Sequence, residues 1–133
     1  MIVDSSALIA ILKLEPEAAA ISAAMEADDV LRVSAGTYIE TSIVIDRNRN
    51  PILSARLDEI FTLAKVVIEP VTLEQARIAR QAYRDYGKRS GHPASLNFGD
   101  CFSYALARDK REPMLFKGDD FIHTDIRSAL PKP

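Results

Sequence analysis

Four carboxylates, Asp4, Glu40, Asp100 and Asp119, lie far apart in the chain, yet each falls where an acid is costly or conspicuous. Asp4 ends "MIVD", directly after two β-branched apolar residues, where a charge needs compensation. Glu40 lies in "SAGTYIETSIV", and its neighbours Tyr38, Ile39 and Ile43 put it beside an apolar helical face. Asp100 follows "NFG", and Asp119 is the first acid of "KGDDF", with Asp120 as its close competitor. Carboxylates gathered in one place repel and raise one another's pKa unless a cation intervenes. Hard divalent cations such as Mg²⁺ or Mn²⁺ take these oxygen ligands and usually keep several waters. A water on such a cation has a lowered pKa and can attack a phosphodiester while the cation stabilises the developing charge. Ser6, just beyond the first strand, is placed to orient Asp4 or that water.

Each acid also has a plain structural role open to it. Asp4 before Ser5-Ser6 suits a helix cap, and Glu40 taken alone suits a solvated helical face. Asp100, three residues after Asn97, suits the positive end of a helix dipole. "GDD" at 118–120 suits a turn. Spacing alone leaves both sets of readings open.

The elements that would position these residues follow from the pattern of apolar residues and punctuation. Ile2-Val3 reads as a buried strand, and Ser5 or Ser6 as the cap of a helix over Ala7 to Lys13. Pro16 opens an alanine-rich helix to about Ala27. "VLRVS" at 30–34 reads as a second strand, with Ser34 capping a helix from about Ala35 to Arg47. "NRNP" at 48–51 is a turn before a helix to about Ala64, and "KVVIEPV" at 65–71 is the third strand. Thr72 and Gln75 form a capping-box pattern for a long helix to about Arg89. "SGHPASLN" at 90–97 reads as a loop. Asn97 caps a helix through about Asp109, and "PMLFKG" at 113–118 holds the last strand. This alternation predicts an α/β fold, a three-layer α/β/α sandwich around a short parallel sheet. Ligands of such sheets bind outside the carboxyl ends of the strands, where all four acids can converge.

At 133 residues, with 47% hydrophobic and 27% charged residues, the chain has the make-up of one globular domain spanning 1–133. It shows no repeat, linker or membrane-length apolar run. It also lacks the basic n-region of a signal peptide, and its single cysteine, Cys101, allows no internal disulfide, so a cytoplasmic protein is expected. A net charge of −2 gives no general affinity for nucleic acid, so any such binding needs a local patch. One candidate is the stripe Arg77, Arg80, Arg84 and Lys88 on the 72–89 helix, opposite Ala79, Ala82, Tyr83 and Tyr86, which should face the sheet. The stripe can grip flanking phosphates, or it can be an ordinary solvated face. Lys110, Arg111 and Lys117 are further cationic candidates, Lys117 also as a partner for Asp119. Tyr38, Phe98, Phe102 and Tyr104 can stack on bases, although their helical spacing favours core packing.

Four stretches together resemble PIN-domain ribonucleases, specifically the VapC-type toxins of bacterial toxin–antitoxin pairs. They are "MIVDSSAL" at 1–8, "SAGTYIETSIV" at 34–44, "HPASLNFGDCFSYALA" at 92–107 and "MLFKGDDFIHTDI" at 114–126. The family's acidic positions match Asp4, Glu40 and Asp100. At the fourth, many members carry a threonine-led "T-x-N/D" sequence where this chain has "FKGDDF", so Asp119 is chosen over Asp120 on weaker grounds. The resemblance implies an endoribonuclease dependent on Mg²⁺ or Mn²⁺, a homodimer, and inhibition by a small VapB-type antitoxin. It further implies that operator DNA is bound chiefly through the antitoxin of the complex. Three other classes remain to be weighed: metal-independent cleavage by His92 and His123, a phosphate-accepting signalling domain, and a degenerate domain acting only through its partner.

Overall fold

The alternation of strands and helices is present in the computed structural model, which describes residues 1–131. In chain order the elements are β1 (Ile2–Val3), α1 (Ser5–Leu12), α2 (Ala18–Ala27), β2 (Arg32–Ser34), α3 (Ala35–Asp46) and α4 (Pro51–Leu63). They continue with β3 (Val67–Glu69), α5 (Leu73–Tyr86), α6 (Phe98–Lys110), β4 (Met114–Leu115) and a 3₁₀ turn, Phe121–His123. The sheet has the order β3-β2-β1-β4, and every pairing is parallel. Ile2 is opposite Arg32 on one side and Met114 on the other, which makes β1 an inner strand.

Side chains on a strand alternate between faces, so a parallel sheet covered on both sides needs apolar residues at successive positions. The central strands meet that need. Val3, Val33 and Leu115 enter a cluster with Ala7 and Leu8 of α1 and Ile21 and Met25 of α2. Ile2 and Met114 enter the opposite cluster, with Tyr104 and Leu106 of α6 and Ala82 of α5. A third cluster of Leu12, Ile45 and Leu57 joins α1, α3 and α4. These layers are the expected α/β/α sandwich.

Local differences from the sequence reading have identifiable causes. Neither Ser5 nor Ser6 caps α1; Asp4 does, accepting from the Ser6 amide. Thr72 caps α5 as expected, but the capping box is not closed: Gln75 Oε1 does not accept from the Thr72 amide, and the side chain is turned so that Nε2 donates to Asp109 Oδ2 at 3.0 Å. The helix stops at Tyr86 rather than Arg89. From Gly87 the backbone is extended, and the Lys88 amide donates to Leu96 O at 2.8 Å while the Leu96 amide donates to Tyr86 O. The inner face of α5 packs chiefly on α6 rather than on the sheet.

Candidate active site

The carboxyl end of β1 opens in the middle of the sheet edge, and Asp4 is the residue that stands there. It is 2% exposed, and its amide donates to Leu115 O at 3.0 Å. Its side chain is held at both oxygens. Oδ2 accepts from the Ser6 amide at 3.0 Å and from Ser6 Oγ at 2.7 Å. Oδ1 accepts from Ser103 Oγ of α6 at 2.6 Å. Ser6 Oγ in turn accepts from the Lys117 amide at 3.0 Å, and since an amide N–H only donates, the Ser6 proton is directed at Asp4. Ser103 Oγ lies 3.0 Å from Thr37 Oγ1 of α3, and both residues are fully buried. With the Ser103 proton committed to Asp4, Thr37 is the donor in that pair. Asp4 is therefore both the helix cap and an oriented, buried carboxylate.

Asp100 combines two roles in the same way. Asn97 Oδ1 accepts from the Asp100 amide and Asp100 Oδ2 accepts from the Asn97 amide, each at 2.9 Å, which closes a reciprocal capping box on α6. Burial pushes the Asp100 carboxyl up to about 7, the Asn97 amide opposes the rise, and the charges of Asp4, Asp120 and Glu40 add to it. Glu40, half-buried on α3, is also raised, first by burial and then by Asp4, with a polar contact from Ser5 acting the other way. Its carboxylate lies against Gly99, the residue before Asp100. The acid from α3 thus sits at the first turns of α1 and α6, where unpaired amides and helix dipoles favour negative charge.

Asp4, Glu40 and Asp100 are electrostatically one group, and their fourth member in that sense is Asp120. Its charge is among those that raise Asp100. Asp119 and Asp120 are both exposed. Among the described residues, no three His, Cys, Asp or Glu side chains form a group ready to enclose a metal ion. The acids are coupled as an open set at the edge. The charges that act on Asp100 are those of acids, Asp4, Asp120 and Glu40, and among the described residues no cationic side chain offsets them. That donor set fits a hard divalent cation, which tolerates a few carboxylates and fills its remaining positions with water.

The cationic candidates are distributed differently from the acids. Lys117 is paired with Glu15 and, at 3.2 Å, with Glu17, not with Asp119. Lys110 and Arg111 are at the C-terminal end of α6, about 15 Å from Asp100 by helical rise. Arg77, Arg80 and Arg84 are exposed on α5, but Lys88 lies past the end of that helix and leaves the stripe. Arg80 borders a groove of about 300 Å³ between α5 and α6, lined also by Tyr83, Phe98 and Phe102. Of the four aromatics, Tyr104 is buried, with its hydroxyl donating to Asp125 at 2.7 Å, and Tyr38 packs edge-on against Phe61. Phe98 is 77% exposed, contrary to the core role its spacing suggested. His92 Nδ1 accepts from the Ala94 amide and its ring packs on Tyr86, which gives it a turn-building role; His123 is exposed.

Ser103, Thr37 and Gly99 escaped the sequence reading. A signal existed for the first two. Ser103 follows Asp100 by three residues and Thr37 precedes Glu40 by three, so each hydroxyl shares a helical face with an acid.

Comparison with known proteins shows the family to which this fold belongs. The family model described as PIN domain matches residues 1–127. The chain is 57% identical to Ribonuclease VapC28 of Mycobacterium tuberculosis over 132 residues, covering 99% of each protein. It is 48% identical to Ribonuclease VapC42 of the same species, covering 97% of this chain and 98% of that one. Among solved structures, M. tuberculosis VapC20, described as a Sarcin-Ricin loop cleaving toxin, superposes with a TM-score of 0.78 at 19% identity over 98% of both chains. A chain of a toxin–antitoxin complex from Klebsiella pneumoniae gives 0.65 at 18% identity, covering 90% of this chain and 88% of that one. By the family match over residues 1–127 and these identities, the chain belongs to the PIN-domain family and, within it, to the VapC ribonucleases.

Proposed function

We propose that the protein is the toxin of a toxin–antitoxin pair, an endoribonuclease that hydrolyses RNA phosphodiesters with Mg²⁺, for which Mn²⁺ can substitute. The observation that supports the metal dependence is Asp100, pushed up to about 7 by burial and by three neighbouring acids, with no cation among the described residues acting on it. Asp4, Glu40, Asp100 and one acid of the Asp119–Asp120 pair would hold the cation; the coupling to Asp100 favours Asp120. Such a cation supplies an acidified water and charge stabilisation at the scissile phosphate. Ser6 and Ser103 fix the direction of both Asp4 oxygens. Exposed Arg77, Arg80 and Arg84 would grip flanking phosphates, a role supported for Arg80 by the groove it shares with Phe98, and exposed Phe98, two residues from Asp100, would offer a face for an unstacked base.

The VapC names of its relatives and the toxin–antitoxin neighbour support a VapB-type antitoxin as partner. A homodimer, operator DNA bound only through the antitoxin complex, and a cytoplasmic location complete the proposal. Among the described residues no helix is long and apolar enough to cross a membrane.

The test is RNA cleavage by antitoxin-free protein before and after EDTA, with Mg²⁺ restored and Asp4→Asn as the control for a contaminating nuclease. Cleavage that is lost in EDTA, recovered with Mg²⁺ and absent in the variant is expected. Cleavage that persists in EDTA would overturn the metal-dependent mechanism, and equal cleavage by the variant would trace the activity to a contaminant.

A further inference from the structure

Gly99 is buried in the first turn of α6, in ordinary helical backbone. Its φ is not in the left-handed region, so nothing about the backbone requires glycine. Glycine is not a preferred helix former either, since it has more backbone freedom to lose than alanine. What the position lacks room for is a side chain. A Cβ built on Gly99 would overlap Oε2 and Cδ of Glu40 and would lie 2.7 Å from Oε1. The space a methyl group would fill is occupied by the carboxylate of an acid from another helix.

We infer that Gly99 is a positioning residue for Glu40: the missing Cβ is the seat that lets the Glu40 carboxylate reach the acidic edge beside Asp4 and Asp100. The obstruction is the tip of a flexible side chain, so a methyl group at 99 can be accommodated by moving that tip while the fold stays as it is. Gly36 provides the contrast. A Cβ there would run into the ring of Phe102, with Cε1 at 2.6 Å, and a packed ring on a neighbouring helix has less freedom to withdraw. The two glycines thus leave room for different things, one for helix packing and the other for an acid.

The metal role of Glu40 rests on the function proposed above, but the seat itself does not, and the experiment separates them. A crystal structure of metal-free Gly99→Ala is expected to show the Glu40 carboxylate displaced from its place against residue 99, with the first turn of α6 unmoved. A carboxylate still in place, or a shifted α6 backbone, would overturn the inference. Mn²⁺ affinity is then measured for wild type, Gly99→Ala, Glu40→Gln and the double variant. Gly99→Ala should weaken binding by about tenfold or more in the wild-type background and by less than about twofold when Glu40 is already neutral. An equal loss in both backgrounds would overturn the positioning role. Glu40→Gln binding Mn²⁺ as wild type does would overturn the metal role of Glu40 instead, leaving the seat to be judged on the crystal structure. If Gly99→Ala fails to fold, the same change in a Glu40→Ala background must fold, because the obstructing carboxylate is gone. Failure of that variant too would overturn the inference.

Discussion

Ser103 donates a 2.6 Å hydrogen bond to Asp4 from 99 residues further along the chain, tying the second turn of α6 to the end of the central strand. Both partners are buried, so removing the hydroxyl leaves the Asp4 oxygen and Thr37 Oγ1 each short of a partner. Ser103→Ala is expected to destabilise the protein by about 1–3 kcal/mol, read from urea denaturation, and to lower RNA cleavage. An unchanged denaturation midpoint would show that Ser103 contributes nothing net to the placement of Asp4.

Asp4→Asn tests the second role of the same carboxylate. Asn is as good a helix cap as Asp. Its carbonyl can keep the two Ser6 hydrogen bonds while its amide faces Ser103, whose hydroxyl is free to turn and accept. Metal-free melting temperature should therefore stay within a few degrees of wild type, whereas Mn²⁺ affinity falls at least about tenfold and cleavage is abolished. Full cleavage with unchanged metal affinity would reduce Asp4 to a cap.

The raised carboxyl of Asp100 predicts a pH dependence of stability. In the unfolded chain Asp100 titrates near its ordinary 3.8, and in the metal-free fold near 7. Between these values the folded state binds more protons, so stability falls as pH rises through the window and levels off above it. Glu40, also raised, acts in the same direction, while the lowered Asp28 at the far end of the sheet acts against both. Asp100→Asn isolates the effect: the variant should gain melting temperature over wild type progressively from about pH 4 to pH 7. A constant difference across that range would count against the assignment. Because a ligating carboxylate must be ionised, Mn²⁺ binding to wild type should weaken on acidification below about 7.

The fourth acid can be identified by two parallel variants. Asp120→Asn removes one of the charges that raise Asp100, so the Asp100 carboxyl, followed by carbon-13 NMR, should titrate lower than in wild type. Asp119→Asn should leave it where it is. Loss of Mn²⁺ affinity is expected in the Asp120 variant, and its appearance in the Asp119 variant alone would return the role to Asp119.

Neutralising Arg77, Arg80 and Arg84 together should weaken RNA binding and flatten its salt dependence. The slope should fall by about 0.7 for each phosphate of a single strand that the variant no longer neutralises. Metal affinity should not change, because none of the three perturbs the acids. Lys88→Gln should have a smaller effect, since Lys88 lies beyond the helix that aligns the other three. An unaltered slope in the triple variant would make the stripe a solvated face and nothing more.

The layers of this fold were legible because they rest on local chemistry. Apolar pairs such as Ile2-Val3 and Met114-Leu115 can only be sheet interior when both neighbours are covered, and Ser34, Asn50, Thr72 and Asn97 each cap the helix that follows through a side-chain oxygen. The three matched acids were legible for the same reason, since each stands at or soon after the start of a helix that follows a strand or a loop. What the sequence could not decide was which groups meet across the edge. Asp119 and Asp120 are adjacent in the chain, and only the path of the backbone after β4 determines whose charge reaches Asp100. The end of α5, which removes Lys88 from its stripe, falls at Gly87, a local stop signal, and is fixed by the pairing of Gly87 with Leu96 from the following loop. Gly99 reads in sequence as a weak spot in a helix, and only the carboxylate of Glu40, arriving from α3, shows why no side chain stands there. Local propensity and periodicity are properties of neighbouring residues, so the chain carries them openly. Contacts between remote segments depend on how the layers stack, and only the tertiary structure decides them.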